Sequence, residues 1–172
     1  MRVARRYGTK PMNSGMQSMP RQPKFPAPLA WPLGLIPTRL NSAILAKFLN
    51  RLFAPELADG ELDFLDGRQM LITVADARLS YRITLESGLL AGIGDGRPED
   101  LSIEGNIYDF LLLATRREDT DTLFFNRRLK LGGDTELGLY VKNFLDGMEI
   151  EQRMGPLLKL LNGATSIIGR LP

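Results

Sequence analysis

The stretch LGGDTELGLYVKNFLDGM, residues 131–148, joins a glycine-rich turn to a segment with helical spacing. Such a turn can hold a phosphate, because free backbone N–H groups and the helix dipole both favour an anion. A phosphate loop, however, carries Lys and then Ser or Thr after its glycines, whereas Asp134, Thr135 and Glu136 follow here. Carboxylates are themselves stabilised at a helix N-terminus. The stretch therefore predicts that Gly132 and Gly133 end a strand and that Asp134 caps a helix.

The composition excludes several kinds of active site. The chain of 172 residues has no cysteine and no histidine, which rules out Cys–His pairs, Ser–His–Asp triads, thiolate or histidine metal ligands and disulfides. Nine Lys or Arg residues and no acid precede Glu56, and the remaining 13 basic residues stand against 20 acids, a net charge of −7. A basic segment before an acidic domain indicates an anionic partner: a membrane surface, a nucleic acid or an acidic protein face.

The spacing of apolar residues divides the chain into three parts. Residues 1–37 hold seven prolines without periodicity and predict a flexible basic extension. Residues 38–150 predict one α+β domain, and residues 151–172 an amphipathic helical tail. Prolines interrupt the apolar run near the N-terminus, so we expect no signal peptide and a cytoplasmic protein. The basic extension and the helical tail favour peripheral docking on a membrane.

Within the domain, a helix over residues 41–53 is expected to stop at Pro55. Alternation and turn signals then predict strands at 61–65, 69–75, 79–86, 89–93, around 101–103 and at 127–131. Asn106, with Asp109 three residues later, predicts a capping box and a helix. A helical turn is expected over 120–126. Helices on one face of a mainly antiparallel sheet follow from this order.

Three further motifs have ordinary structural explanations. Gly92, Gly94 and Gly96 are followed by Pro98 and a strand, not by the helix that a dinucleotide site needs. The acidic runs at 59–66 and 118–121 have the flanking residues of solvated loops. The arginine pairs at 116–117 and 127–128 bracket the second run, and local pairing with it is favoured over binding a lipid headgroup or an acidic partner.

The segment LSIEGNIYDFLLLATRREDTDTLFFNRRLKLGGDTELGLYVKNFLDGME, residues 101–149, resembles a known family. It is similar to the sterol-carrier-protein type 2 lipid-binding domain, and more narrowly to UbiT-type accessory factors of bacterial ubiquinone biosynthesis. DTLFFNRRLKLGGDTELGLYVKN, residues 121–143, is the most specific part, and the resemblance covers about 38–150. It implies an α+β fold whose five-stranded, mainly antiparallel sheet and helices enclose a hydrophobic tunnel.

The same resemblance implies a lipid-handling protein that is not an enzyme and needs no cofactor or metal. It implies oxygen-independent ubiquinone synthesis beside UbiU- and UbiV-type proteins, which would carry the hydroxylation chemistry. The expected ligands are isoprenoid quinone precursors or phospholipid. The basic extension lies outside the sterol-carrier fold.

The predicted lipid site combines one helix with facing walls. The helix of the opening stretch contributes Leu137, Tyr140, Val141 and Phe144. The facing residues are Ile72, Val74, Tyr81, Ile83, Ile103, Phe110, Phe124 and Phe125. Arg127 and Arg128 are placed at the mouth, near a ring or headgroup, and the tail serves as a lid or interfacial helix.

Three other classes of function remain open at this point. One is a protein scaffold whose apolar surfaces bind partners and no lipid. Another is an enzyme that acts on a quinone intermediate and transfers protons with Asp109, Asp134 and Glu136. Nucleic-acid binding has only the basic extension in its favour, so we predict no nucleic-acid partner.

Overall fold

A computed structural model describes residues 37–94, 96, 98–148, 159, 162, 163 and 165–167. The predicted extension, apart from Pro37, and most of the predicted tail lie outside these residues. The helices are α1 Thr38–Leu52, α2 Ala54–Ala58, α3 Ile107–Ala114, α4 Thr120–Phe125 and α5 Thr135–Gly147. The strands are β1 Met70–Val74, β2 Leu79–Glu86, β3 Leu89–Gly92, β4 Leu101–Gly105 and β5 Lys130–Gly133. The expected α+β class is confirmed.

The five strands form one mixed sheet in the order β3-β2-β1-β4-β5. Three pairings are antiparallel, but β1 and β4 are parallel, with Ile72 opposite Ile103. The segment between β3 and β4 carries the chain back past β2 and β1, so β4 enters on the far side of β1. The sheet is therefore not purely antiparallel, because a connection that is not a hairpin joins its two halves.

The predicted strand at 61–65 is wrong. Asp63–Leu65 forms a single 3₁₀ turn, which buries Leu62 and Leu65 on one side. Residues three apart share a side in a 3₁₀ turn, so both leucines reach the core without a strand. The first helix ends at Leu52, within one residue of the predicted end, and Pro55 lies in the first turn of the separate helix α2, where a missing N–H removes no helical hydrogen bond.

The last strand begins later than predicted, at Lys130 instead of residue 127. Arg127 has a left-handed backbone with φ 56°. The N–H groups of Arg128 and Leu129 both donate to the carbonyl of Leu123, so these residues form the turn after α4. The prediction that Gly132 and Gly133 end this strand is confirmed.

Both predicted helix caps are present. The Asp134 carboxylate accepts hydrogen bonds from the N–H groups of Glu136 (2.9 Å) and Leu137 (3.1 Å). Asn106 precedes α3, and the Asp109 carboxylate accepts from the Asn106 N–H at 3.2 Å, as a capping box requires. These caps fix where α5 and α3 leave the sheet, and both helices then cover the same side of it.

Helix α1 closes the β3 edge of the sheet. The Asn50 carboxamide donates to the carbonyl of Leu90 (2.7 Å) and accepts from its N–H (2.8 Å). Nearby, Ser42 accepts from the N–H of Arg82 at 2.8 Å. A Cβ at Gly92 would collide with the backbone of residues 42 and 43. The helix can therefore approach this strand only because residue 92 is glycine.

Candidate functional site

A cavity of about 360 Å³ lies between the sheet and the helices. Among the described residues, every side chain that lines it is apolar. The sheet supplies Met70, Ile72, Val74, Leu90 and Ile103, and α1 supplies Leu45, Phe48, Leu49 and Leu52. The remaining wall comes from Phe53, Leu62, Phe64, Leu65, Ile107, Phe110, Leu111, Leu113, Ala114, Phe124, Leu129, Val141, Phe144, Leu145 and Met148. The volume is in the range of small-molecule sites.

Two packed clusters, both in contact with Phe110, border the cavity. One joins the sheet to α1 and α5 through residues such as Ile83, Leu101 and Val141. The other joins α3 to α4 through Leu112, Leu123 and the following Leu129. The α3–α4 segment thus forms one wall of the cavity, and a bound apolar chain would contact both clusters.

Seven of the twelve predicted wall residues line this cavity. They are Ile72, Val74, Ile103, Phe110, Phe124, Val141 and Phe144. Ile72 and Ile103 face each other across the parallel pair of strands, as the alternation predicted for their strands requires. The other five predicted residues do not line the cavity.

Two of those five belong to the solid core and three lie elsewhere. Ile83 and Leu137 are buried in the sheet–α1–α5 cluster. Tyr81 is half-buried on β2, and burial raises the pKa of its phenol. Tyr140 is exposed, stacks on Phe64 with ring centroids 5.7 Å apart, and donates to Glu136.

Phe125 points away from the cavity and is 90% exposed. Neighbouring residues on a helix differ by about 100° in direction, and on α4 this turn carries Phe125 out to solvent. Phe124 takes the inward position, and the same reasoning separates Val141 from Tyr140 on α5.

The sequence-based site omitted the contribution of α1. Leu45, Phe48, Leu49 and Leu52 belong to the apolar stripe that predicted this helix. This stripe predicts a helix that faces the core. It does not show whether the helix borders a cavity or packs against other side chains without a gap. Phe48 is the cavity-lining residue with the greatest exposure among the large apolar residues, at 41%.

Arg128 is held by acidic side chains of its own domain. Its guanidinium lies 2.6 Å from the buried Asp109 carboxylate and 3.6 Å from Glu118, and it sits over the Tyr108 ring at 5.8 Å. Local pairing with the acidic segment is confirmed for this residue. Arg127 is exposed in the preceding turn.

The first arginine pair contacts helix ends instead of the acidic run. Arg116 donates to the carbonyls of Asp146 (3.1 Å) and Met148, beside the C-terminus of α5. Arg117 donates to the Asn162 side chain at 2.9 Å and to the Ser166 hydroxyl at 3.0 Å. These contacts tie the described part of the tail to the end of α3.

The titratable groups around the site are engaged in the scaffold. Lys142 on α5 bridges Asp121 of α4 (2.7 Å) and Asp146 (3.1 Å). Hydrogen bonds to Asp121 and then Asp146 raise the pKa of this lysine. Within the described residues, no three acidic side chains converge where they could share a metal ion. The described part of the cavity wall can exclude water and contact an apolar chain, and it offers no proton donor or acceptor side chain.

The comparison with protein families covers most of the cavity domain. Residues 45–146 match the model of the SCP-2 sterol transfer family. The chain belongs to this family. Its described helices include none long and apolar enough to cross a bilayer.

Two curated relatives are similar to this chain over most of its length. The ubiquinone biosynthesis accessory factors UbiT of Escherichia coli strains K12 and O157:H7 are 41% identical over 136 residues, 79% of this chain and 78% of each relative. A solved structure titled UbiJ-SCP2 ubiquinone synthesis protein has a TM-score of 0.51 at 17% identity, over 62% of this chain and 89% of that one. The structural likeness supports the SCP-2 fold.

Proposed function

We propose that this chain is a non-catalytic lipid-binding accessory factor in ubiquinone biosynthesis. The observation that supports it best is the cavity of about 360 Å³ with its apolar described wall. Its similarity to the UbiT factors over most of both chains supports the pathway.

The proposed ligand is the polyprenyl tail of a quinone intermediate or the acyl chain of a phospholipid. Each methylene moved from water into such a site gains about 0.8 kcal/mol, so several isoprene units provide substantial affinity without polar contacts. Because the described wall has no polar side chain, the ring or headgroup would remain at the mouth. We place Arg127 there, since Arg128 is already paired with Asp109. We also propose that the space extends into a tunnel that holds the rest of a long tail.

Partner proteins would then catalyse the hydroxylation reactions. We propose that the chain presents its lipid to UbiU- and UbiV-type hydroxylases in the oxygen-independent pathway, from the cytoplasmic side and docked peripherally on the inner membrane. The basic residues before Glu56 support such docking, since a Lys or Arg near an anionic membrane contributes about 1 kcal/mol.

The test is to identify lipids that copurify with the protein. The full chain is purified from a quinone-producing bacterium without detergent and extracted with organic solvent, and the lipids are measured by mass spectrometry. We expect one prenylated quinone precursor or one phospholipid class near one equivalent per chain. Val141→Phe, which fills part of the cavity, should reduce that amount, whereas Leu139→Phe on the exposed side of the same helix should not.

The alternative is a scaffold that binds partner proteins and no lipid. A folded protein without enriched lipid, together with stable complexes with the hydroxylases, would replace the carrier proposal with this one. Equal lipid content in both phenylalanine variants would also count against the cavity as the site.

A further inference from the structure

The β5 edge of the sheet is open in the described part of the chain. β5 is the last strand of the sheet, and every residue from 130 to 136 is exposed. The Asp134 N–H donates to the Asp100 carbonyl at 2.8 Å, so the even-numbered residues of β5 bond inward to β4. By the same alternation, the N–H and C=O groups of Leu131 and Gly133 point out of the sheet. A row of such groups on an exposed edge is a template for another strand.

An apolar strip begins at this edge, on the side of the sheet that the helices cover. Leu131 is opposite the buried Ile103 in the β4–β5 pair, so both side chains lie on the inner side, and Leu131 is 37% exposed. On α5, a Cβ at Gly138 would lie 3.6 Å from the side chains of both Leu101 and Leu131. The helix therefore lies over the boundary between β4 and β5.

Leu139 continues the apolar strip onto the flank of α5. Successive residues of a helix turn by about 100°, so Leu139 and Val141 leave α5 on opposite sides of Gly138. Val141 lines the cavity, whereas Leu139 is directed toward the open edge and is 55% exposed. Leu131 and Leu139 thus lie side by side with outward backbone groups, and a partner that brings both a strand and a helix would cover them together.

We propose that this edge pairs with the same edge of a second copy of the chain. The two β5 strands run antiparallel, and Gly132 of one copy lies opposite Gly132 of the other. In this register the outward groups of Leu131 in each copy bond to those of Gly133 in the other. Two residues away from Gly132 on either side, Lys130 of one copy lies opposite Asp134 of the other. The edge is therefore complementary to itself in charge.

The position of α5 also fits this arrangement. Neighbouring strands lie about 4.8 Å apart, and α5 lies over the boundary between β4 and β5, about half that spacing inside β5. The two α5 helices of the pair would therefore be about 10 Å apart. Helices pack against each other at about 8–10 Å, so the two Leu139 side chains would fill the space between them.

This pairing joins the two sheets into one continuous sheet. The two-fold axis is perpendicular to it, so the helices and cavities of both copies lie on the same face. None of the residues in the contact lines the cavity, and the inference does not depend on the proposed ligand. A second copy is favoured over an unrelated strand because it supplies the matching leucine, the helix spacing and the opposite charge at once.

Sedimentation velocity of the full-length chain, without detergent and over a range of concentrations, tests the contact. We expect a monomer–dimer equilibrium. Leu139→Arg should raise the dissociation constant about 100-fold, because each of the two copies loses a buried leucine that contributes about tenfold. The control is Leu89→Arg on β3, at the edge that α1 closes. Leu89 is 58% exposed, and its replacement should leave the dissociation constant unchanged.

The register is tested by disulfide formation, since the chain has no cysteine. The two Gly132 residues form a pair without hydrogen bonds, with Cα atoms about 4.5 Å apart, which a disulfide can span. Gly132→Cys is combined with Ser102→Ala, because the new Cβ would otherwise lie 2.7 Å from the Ser102 hydroxyl oxygen. We expect a covalent dimer on mild oxidation. Gly147→Cys, at an exposed glycine of α5, is the control and should stay monomeric.

The two measurements overturn the inference independently. An original chain that stays monomeric at every concentration would show that the edge binds something else, such as residues 1–36 or a strand of another protein. Equal dissociation constants for Leu139→Arg and Leu89→Arg would place the contact elsewhere on the domain. Equal cross-linking of the two cysteine variants would contradict the register. If the Gly132→Cys protein does not fold, the sedimentation comparison decides alone.

Discussion

The Asp109 carboxylate and the Arg128 guanidinium form an ion pair beneath the surface, where the Asp109 side chain is 1% exposed. The contacts are 2.8 Å from Nε and 2.6 Å from Nη2 to the same oxygen, Oδ1. The pair joins the first turn of α3 to the turn after α4, on the wall that faces the sheet across the cavity. It is therefore a structural contact, even though it involves the arginine that the sequence placed at the mouth.

Arg128→Met should lower the free energy of unfolding by about 3 kcal/mol, because it leaves a buried carboxylate without its cation. The measurement is urea unfolding followed by far-ultraviolet circular dichroism. Lys130→Met is the matched control: its contact with Glu104 is exposed, so its cost should stay below about 1 kcal/mol. Adding Asp109→Asn to Arg128→Met should recover part of the loss. Similar midpoints for the two methionine variants would show that the buried pair contributes little.

Asp134→Ala should destabilise the protein by about 1 kcal/mol, because two N–H groups at the start of α5 lose their acceptor. Asp134→Asn keeps a side-chain oxygen and should be close to neutral. Thermal unfolding of the three proteins side by side measures both effects. Loss of function in Asp134→Asn, with stability and lipid binding unchanged, would instead support an enzymatic role for this carboxylate.

Gly92→Ala should separate α1 from β3, because the added methyl group would meet the backbone at residues 42 and 43. The expected cost is about 3 kcal/mol, at the upper end for overpacked sites. Gly147→Ala, where the space is open, should be neutral or slightly stabilising. The Leu90 N–H donates a hydrogen bond to the Asn50 side chain. Its hydrogen exchange should become faster in Gly92→Ala and stay unchanged in Gly147→Ala. Unchanged protection there would mean that α1 adjusts without losing this contact.

A comparison of the helix caps with the contact at Gly92 shows which features the sequence could predict. Helix caps and stripes are local patterns, so the boundaries near Asn106 and Asp134 were correct. The tight approach of α1 to Gly92 joins segments far apart in the chain, and no local pattern signals it. The parallel pairing of β1 with β4 was missed for the same reason: hairpin signals describe neighbours in sequence, whereas this pair depends on the path between β3 and β4.

The candidate site shows a similar limit. Alternation correctly put Ile72 and Ile103 on the inner face, but the periodic signal for α4 could not decide between Phe124 and Phe125. A helix of six residues has too few positions to define its inward side. Leu137 and Val141 share one apolar stripe, and only packing determines which of them borders empty space.

The protein should lose stability in alkaline solution, partly through Tyr81. Burial raises its pKa above the ordinary 10.0, so the folded protein keeps the phenol proton to higher pH than the unfolded chain does. The contribution of Tyr81 to the free energy of unfolding is complete below pH 10.0, and it is lost as the pH rises through the pKa of the folded state. Tyr81→Phe should therefore lose less stability than the original protein between about pH 9 and about pH 11, measured by urea unfolding.

Lys142 also contributes to the loss of stability at alkaline pH. Its pKa is raised above 10.5 by hydrogen bonds to Asp121 and Asp146, so its stabilising effect is present below that value and disappears as the amine deprotonates. Adding Lys142→Met to Tyr81→Phe should make the free energy of unfolding depend even less on pH in the alkaline range. Tyr140→Phe, at an exposed tyrosine, is the control. A profile for Tyr81→Phe that matches the control would remove Tyr81 as a cause.

The finite volume of the cavity predicts how affinity depends on ligand length. For single-chain fatty acids, affinity should rise about fourfold for each added methylene, because each one buried gains about 0.8 kcal/mol. The rise should stop once the space of about 360 Å³ is filled, since further methylenes would remain in water. Val141→Phe should move this plateau to shorter chains without changing the initial slope, and Leu139→Phe should leave the whole series unchanged. Fluorescence displacement across the series measures both quantities. An affinity that rises to the longest chains in both variants would mean that the ligand lies along the surface, because only an enclosed space limits the length that can be buried.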